Sequence, residues 1–272
     1  MTTVARRLQG KVAFITGAAR GQGRAEAVRL AAEGADIIAI DLCRSAESTH
    51  YAGSTPADLA ETVRLVEAQD RRIIATQADV RDFDAVSSAV RDGVAALGRL
   101  DIVVANAGIC SAAMSWEIGI EQWQETLDTN LTGVFYTAKA TVPVLLEQGT
   151  GGSVIFTSSV AGLRGLPFLG HYAASKHGVV GLAKSMANEL GQHNIRVNTI
   201  HPHGVATGMT VNDMQPLIEQ YADTLGPIFM GTLPDQVSQP EDIANAVAWL
   251  ASDESRHVTG VQLPVDLGTL IR

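Results

Sequence analysis

The stretch KVAFITGAARGQGR, residues 11–24, decides the fold. Lys11–Ile15 is a short apolar run rich in β-branched and aromatic residues, the pattern of a strand buried on both faces. It runs into a turn carrying Gly17, Gly21 and Gly23, and then into helical spacing at Ala25, Val28, Leu30 and Ala31. Glycines let the backbone pass close to a phosphate, and the helix that follows offers free N–H groups and the positive end of its dipole. Strand, glycine turn and helix together predict a dinucleotide site, with Arg20 and Gln22 inside the turn. Outward from there, runs at 36–40, 72–76, 100–104, 153–157, 195–200 and 261–265 predict six further strands. Helical patterns separate them. Thr55-Pro56 reads as a helix start, Asp82 as a cap and Pro240 as a first helical residue. Pro264 inside the last strand predicts a sheet edge. The alternation implies an α/β fold: one doubly wound parallel sheet of about seven strands, residues 1–272 as a single domain.

Composition narrows the function. The chain has 272 residues, 46% hydrophobic and 18% charged, with a net charge of −9. That acidity argues against nucleic acid or an anionic membrane as partner. No apolar run approaches the roughly 20 residues of a membrane helix, and the N-terminal segment does not read as a signal peptide. Cys43 and Cys110 imply neither a disulfide framework nor a zinc site, and the seven histidines show no metal spacing. The expectation is a cytoplasmic enzyme without metal.

Asp41 ends the second strand at the distance expected for a carboxylate that binds an adenosine ribose, with Leu42 beside it. A carboxylate there repels a 2′-phosphate; Arg20 pulls the other way. Asp41 meets the ribose directly, so NAD is preferred to NADP. Residues 42–55 are polar and small, and read as an extended insertion loop beside the adenosine. Asp79-Val80 closes the third strand. Asn106-Ala107-Gly108 closes the fourth with small residues suited to a wall against a cofactor. A long helix is predicted from Ile120, with Trp123, Leu127 and Val134 as core positions and Asn130 as an interior polar residue, mediocre in a helix. Residues 207–234 read as a mobile, irregular flap over the site. Tyr172 and Lys176 are spaced i,i+4, so a helix places them on one face. An ammonium beside a phenol lowers its pKa, which suits a proton exchange with an alcohol or carbonyl.

These motifs, in this order, resemble the short-chain dehydrogenase/reductase family over nearly the whole length: TGAARGQG at 16–23, Asp79-Val80, Asn106–Gly108, Asn130, Ser159, and Tyr172 with Lys176. The resemblance places the catalytic serine thirteen positions before the tyrosine, which selects Ser159 over Ser158. It implies that Tyr172 exchanges the proton, Lys176 lowers its pKa and binds the nicotinamide ribose, and Ser159 polarises the substrate oxygen. Asn130 would hold a water linking Lys176 to solvent. Asp79 and Val80 would meet the adenine, and Thr207 the nicotinamide amide; Pro202 and Val205 would line the same end. Where the family has Pro-Gly, this chain has Pro202-His203, which puts His203 beside the nicotinamide as a lining group or a turn residue, the turn residue being preferred.

KVAFITGAARGQGR, the ending IDLC and the long loop after it further resemble the carveol-dehydrogenase-like subfamily. That resemblance implies a hydrophobic terpenoid or cyclic alcohol as substrate, NAD retained beneath the 42–55 loop, and mycofactocin as redox partner; the family implies a homotetramer. Candidates for the substrate lining are Ile109, Cys110, Ser111, Leu163, Leu166, Phe168, Met209, Met214 and Phe229. Two alternatives stand beside this. One is a 3-oxoacyl-acyl-carrier-protein reductase, disfavoured by Asp41 and the net acidity. The other is a non-catalytic NAD sensor, which would not need Asn130, Ser159, Tyr172 and Lys176 together.

Overall fold

A computed structural model of the protein describes residues 6–209 and 214–272. The remaining positions, including 210–213 of the expected flap, lie outside the described residues. Among the described residues seven strands form one sheet, parallel throughout, in the order β3-β2-β1-β4-β5-β6-β7. They are β1 (Val12–Thr16), β2 (Asp36–Asp41), β3 (Ile73–Gln77), β4 (Ile102–Ala105), β5 (Gly152–Thr157), β6 (Ile195–Pro202) and β7 (Gln262–Val265). β7 is an edge, as Pro264 requires.

Helices cover both faces. The β1 side chains alternate: Val12 and Phe14 join a core with α3 (Phe83–Leu97), α5 (Gly133–Gln148) and α6 (Gly170–Leu190). Ala13 and Ile15 join the opposite core with α1 (Gly21–Ala32), α2 (Pro56–Glu67) and α8 (Pro240–Ala251). A period of two on a strand buried both sides produces this split. Thr55 caps α2 in a full capping box with Asp58, and Asp82 caps α3 through the N–H groups of Asp84 and Ala85.

Two sequence expectations change. The long helix from Ile120 is broken: α4 (Ile120–Leu127) leads into a π-helical stretch, Asp128–Thr132, before α5 begins. Asn130 sits in that stretch, fully buried, and Trp123 is 41% exposed instead of being core. The flap is not wholly irregular either. It holds a short helix, α7 (Met214–Gln220), and a 3-10 turn, Gly226–Phe229, because apolar residues there find a shared cluster to pack on. The chain order places the crevice for a ligand where β1 and β4 diverge, at the carboxyl ends of the strands.

Candidate active site

The glycine turn is built for close approach. Gly17 (φ 69°) and Gly21 (φ 57°) take left-handed conformations that side chains disfavour. A Cβ on Gly23 would stand 2.2 Å from the Gly17 carbonyl oxygen, so α1 packs on the turn only with glycine there. Arg20, at the N-cap of α1, makes no side-chain capping bond, and no acidic residue sits in the first helical turn. The helix start is therefore open to an anion. Asn106 locks the wall to the turn: its N–H donates to Thr16 Oγ1 and its side-chain amide to the Thr16 carbonyl, both at 3.0 Å.

One groove is lined by Gly17, Arg20, Gly21, Gln22, Asp41, Leu42, Asp79, Val80, Asn106, Ala107, Gly108 and Thr207. A second, beside it, brings together Gln22, Asn106, Gly108, Ser159, Tyr172, Lys176, Pro202, Val205 and Thr207. The residues expected from sequence thus converge on one continuous crevice, with Gly23 and Asn130 directly behind it. Gln22 Oε1 and Thr157 Oγ1, on residues lining it, are buried without a hydrogen-bond partner. Open glycine N–H groups, an uncapped helix start and unpaired acceptors fit a dinucleotide.

Asp41 is more committed than its sequence position suggests. Its carboxylate accepts from Ala19 N–H and Cys43 N–H, each at 2.9 Å, and from the Ser54 hydroxyl. Of about four lone-pair directions, one is left to face the groove. Arg20, the rival signal for a 2′-phosphate, donates to the Ala52 carbonyl of the insertion loop. That engagement favours the Asp41 reading.

The insertion loop crosses the groove as a strap, with Arg44, Ala46, Thr49, Tyr51, Gly53 and Ser54 on its lining. Its ties were not foreseen. The Tyr51 hydroxyl accepts from Cys110 N–H at 3.2 Å. Glu125 accepts from Ser48 N–H at 2.7 Å and Glu47 N–H at 3.1 Å, and pairs with Arg81 at 3.1 Å. Burial works against the Glu125 charge, yet these donors hold its carboxyl below its ordinary value. A lone tyrosine inside a polar, small-residue loop was the available signal for Tyr51. Glu125 carried none, because it looks like any helical surface glutamate.

At the catalytic end, Lys176 is 2% exposed and donates to the Thr157 carbonyl at 2.8 Å; its Nζ lies 5.6 Å from the centre of the Tyr172 ring. Burial pushes the ammonium down to about 8. Burial also pushes the Tyr172 phenol above its ordinary value, only partly offset by a hydrogen bond with Ser159. Burial and the neighbouring ammonium thus act on the phenol in opposite directions. The Asn130 amide is fully engaged, donating to the Ile109 carbonyl and accepting from Ile109 N–H, both at 2.8 Å, and donating to Ser175 Oγ at 3.3 Å. Ser159 is itself held. His201 Nδ1–H donates to the Ser159 carbonyl at 2.6 Å, while Nε2 meets Thr199 Oγ1 at 2.7 Å. Burial pushes that imidazole down to about 4, so it stays neutral.

Of the expected substrate lining, Cys110, Leu166, Met209, Met214 and Phe229 meet beside Tyr172. Ile109 turns to the dinucleotide groove, and Ser111 is buried against His171 and Gln122. Leu163 is half exposed, and Phe168 stands behind Phe229. His203 is no mere turn residue: it lines this cavity.

A parallel sheet, a dinucleotide crevice at its switch point and a Ser-Tyr-Lys cluster beside it define an oxidoreductase. The chain belongs to the short chain dehydrogenase family, whose model matches residues 11–217. It is 42% identical over 277 residues to (-)-trans-carveol dehydrogenase of Rhodococcus erythropolis, covering 98% of this chain and 99% of the relative. Two crystal structures are closely similar. A short chain dehydrogenase from Mycobacterium paratuberculosis bound to NAD superposes with a TM-score of 0.94 at 52% identity, over 98% of this chain and 100% of that one. Carveol dehydrogenase from Mycobacterium avium in complex with NAD gives 0.93 at 54% identity, over 98% and 99%. Among the described residues no helix is long and apolar enough to cross a membrane, and no cluster of metal-binding side chains occurs.

Proposed function

We propose that the protein interconverts a hydrophobic, ring-bearing secondary alcohol and its ketone, with NAD as cofactor. The observation that carries this is the cavity in which Ser159, Tyr172 and Lys176 are the reactive polar groups beside an apolar lining of Val160, Leu166, Leu169 and Phe229. Bound NAD supplies the hydride acceptor. Gly17, Arg20, Gly21, Gln22 and Gly23 would hold its pyrophosphate, Asp41 and Leu42 its adenosine ribose, and Asp79 and Val80 its adenine. Asn106, Ala107, Gly108, Pro202, Val205 and Thr207 would line the nicotinamide end. Tyr172, as the phenolate, takes the alcohol proton; as the phenol it returns that proton to the ketone oxygen in the reverse direction. The Ser159 hydroxyl donates to the substrate oxygen, where charge develops. Lys176 supports the tyrosine charge and binds the nearby ribose, and Asn130 fixes the helix carrying both.

The strap supports a second element of this reading: NAD retained between turnovers and re-oxidised in place by an external redox partner such as mycofactocin. Exposed Trp116, Ile120, Trp123 and Phe135 support assembly into a tetramer, which sedimentation would test. The primary test is Tyr172→Phe against a panel of cyclic alcohols. Turnover should fall at least 100-fold, the scale of general acid–base catalysis, with NAD affinity within threefold. Retained turnover would sink the assignment.

A further inference from the structure

His203 stands where the family pattern has glycine, and its side chain does something a glycine cannot. Its Nε2 meets the main-chain carbonyl of Phe229 at 2.8 Å. A carbonyl only accepts, so Nε2 carries the proton and donates. The bond runs from the end of β6 to the segment 214–229 on the far side of the cavity. Among the described residues, the other hydrogen bonds of that segment are local, between Gln215 and Glu219 and around Tyr221, Leu225 and Pro227. The next ties to the body lie just beyond it, where the Thr232 and Leu233 N–H groups donate to the Leu267 carbonyl and Arg272 donates to the Gly231 carbonyl. The rest of its attachment is apolar, through a cluster shared with Leu166, Phe168 and Leu169. Apolar contact is non-directional, so it holds the segment down without fixing its position along the cavity. One directional bond can fix it.

Position matters here because of what the segment carries. The Phe229 ring stacks on Phe168 with centroids 6.3 Å apart and planes 13° from parallel, and Tyr221 meets Phe168 at 5.9 Å. Phe168 takes φ 69°, a left-handed conformation uncommon for so bulky a residue, and the surrounding packing maintains it. The result is an aromatic wall in which Phe229 faces the cavity that also exposes Ser159 and Tyr172, with Phe168 and Tyr221 packed behind it.

We propose that His203 is a specificity-determining residue: by pinning the Phe229 carbonyl it sets the aromatic wall so that ring-shaped alcohols and ketones fit and open-chain ones fit poorly. The inference rests on the reading that this cavity takes the substrate. The test compares wild type, His203→Leu, which removes the donor at similar volume, and His203→Gln, whose amide Nε2 can replace the imidazole Nε2. Each is assayed with a cyclic and an open-chain secondary alcohol of equal carbon number, and by amide hydrogen exchange over 225–230. In H203L, KM for the cyclic alcohol should rise about tenfold at constant kcat, the effect of one hydrogen bond. KM for the open-chain alcohol should move less than twofold, and exchange over 225–230 should rise about tenfold. H203Q should restore both. Unchanged exchange in H203L would overturn the pin, whatever the turnover. Equal KM shifts for the two alcohols would overturn the specificity role, as would a fall in kcat with KM unmoved. A wild-type enzyme inert toward both alcohols would defeat the dehydrogenase reading, while the exchange result still decided the pin.

Discussion

Replacing Asn130 by leucine separates a structural clamp from a solvent relay. The side chain is fully buried and makes two 2.8 Å bonds to the Ile109 main chain and one to Ser175. Ser175 in turn donates to the Tyr172 carbonyl at 2.7 Å, so Asn130 links the segment after β4 to the catalytic helix. Leucine has the same branched four-atom side chain with bulkier ends, so no cavity is created. What is lost is three hydrogen bonds, and the Ile109 N–H and C=O are left facing methyl groups. At about 1 kcal/mol per bond, with the penalty for stranded partners added, the expected destabilisation is about 3 kcal/mol. The better helix propensity of leucine returns less than about 0.5 kcal/mol. Urea unfolding should show a lower midpoint at unchanged slope, and heating a melting point roughly 6 to 12 °C lower. A loss below about 1 kcal/mol would refute the clamp.

Other substitutions test the remaining parts. Gly23→Ala puts a Cβ into the Gly17 carbonyl, so NAD affinity should fall at least tenfold by calorimetry, since the turn must open. Glu26 is fully buried on α1 with both carboxylate oxygens unpaired, and burial pushes it up to about 8. The folded protein therefore binds a proton that the unfolded chain has lost, and stability declines as pH rises from about 4.5 to about 8. Glu26→Gln should match wild type near pH 4.5 and exceed it by up to about 5 kcal/mol above pH 8, in denaturation run at both pH values. Glu125→Ala removes the acceptor of the strap's Glu47 and Ser48 N–H groups, so NAD release measured by stopped-flow fluorescence should quicken on the order of tenfold to a hundredfold. An unchanged release rate would mean the strap does not hold the cofactor.

The sheet was legible because each strand is a short apolar run and α2, α3 and α8 start at a recognisable cap or proline. The glycine turn, Asp41 and the Tyr172–Lys176 pair were legible because their chemistry depends on local spacing. The π-helical break at Asp128–Thr132 was not, since nothing in a single helix reveals that Asn130 must reach Ile109, 21 residues earlier. Glu125 and His201 were missed for the same reason: their partners, Ser48 and Ser159, are distant in sequence. At Tyr172 the i,i+4 spacing shows the cation but not the burial that acts against it. His203 was undervalued because its partner lies in a segment without a periodic pattern.

The ties of the strap also impose an order on assembly. Glu47, Ser48 and Tyr51 close on Glu125 and Cys110, which lie 59 to 78 positions further along the chain. A nascent chain that has delivered β1, β2 and β3 to the ribosome exit therefore has a strap held at its far end, by Arg20 on Ala52 and Asp41 on Ser54, but not yet at its middle. The adenosine half of the crevice is built open. Its cover is fitted only after α4 has emerged and folded, which makes closure a late step in the maturation of each molecule.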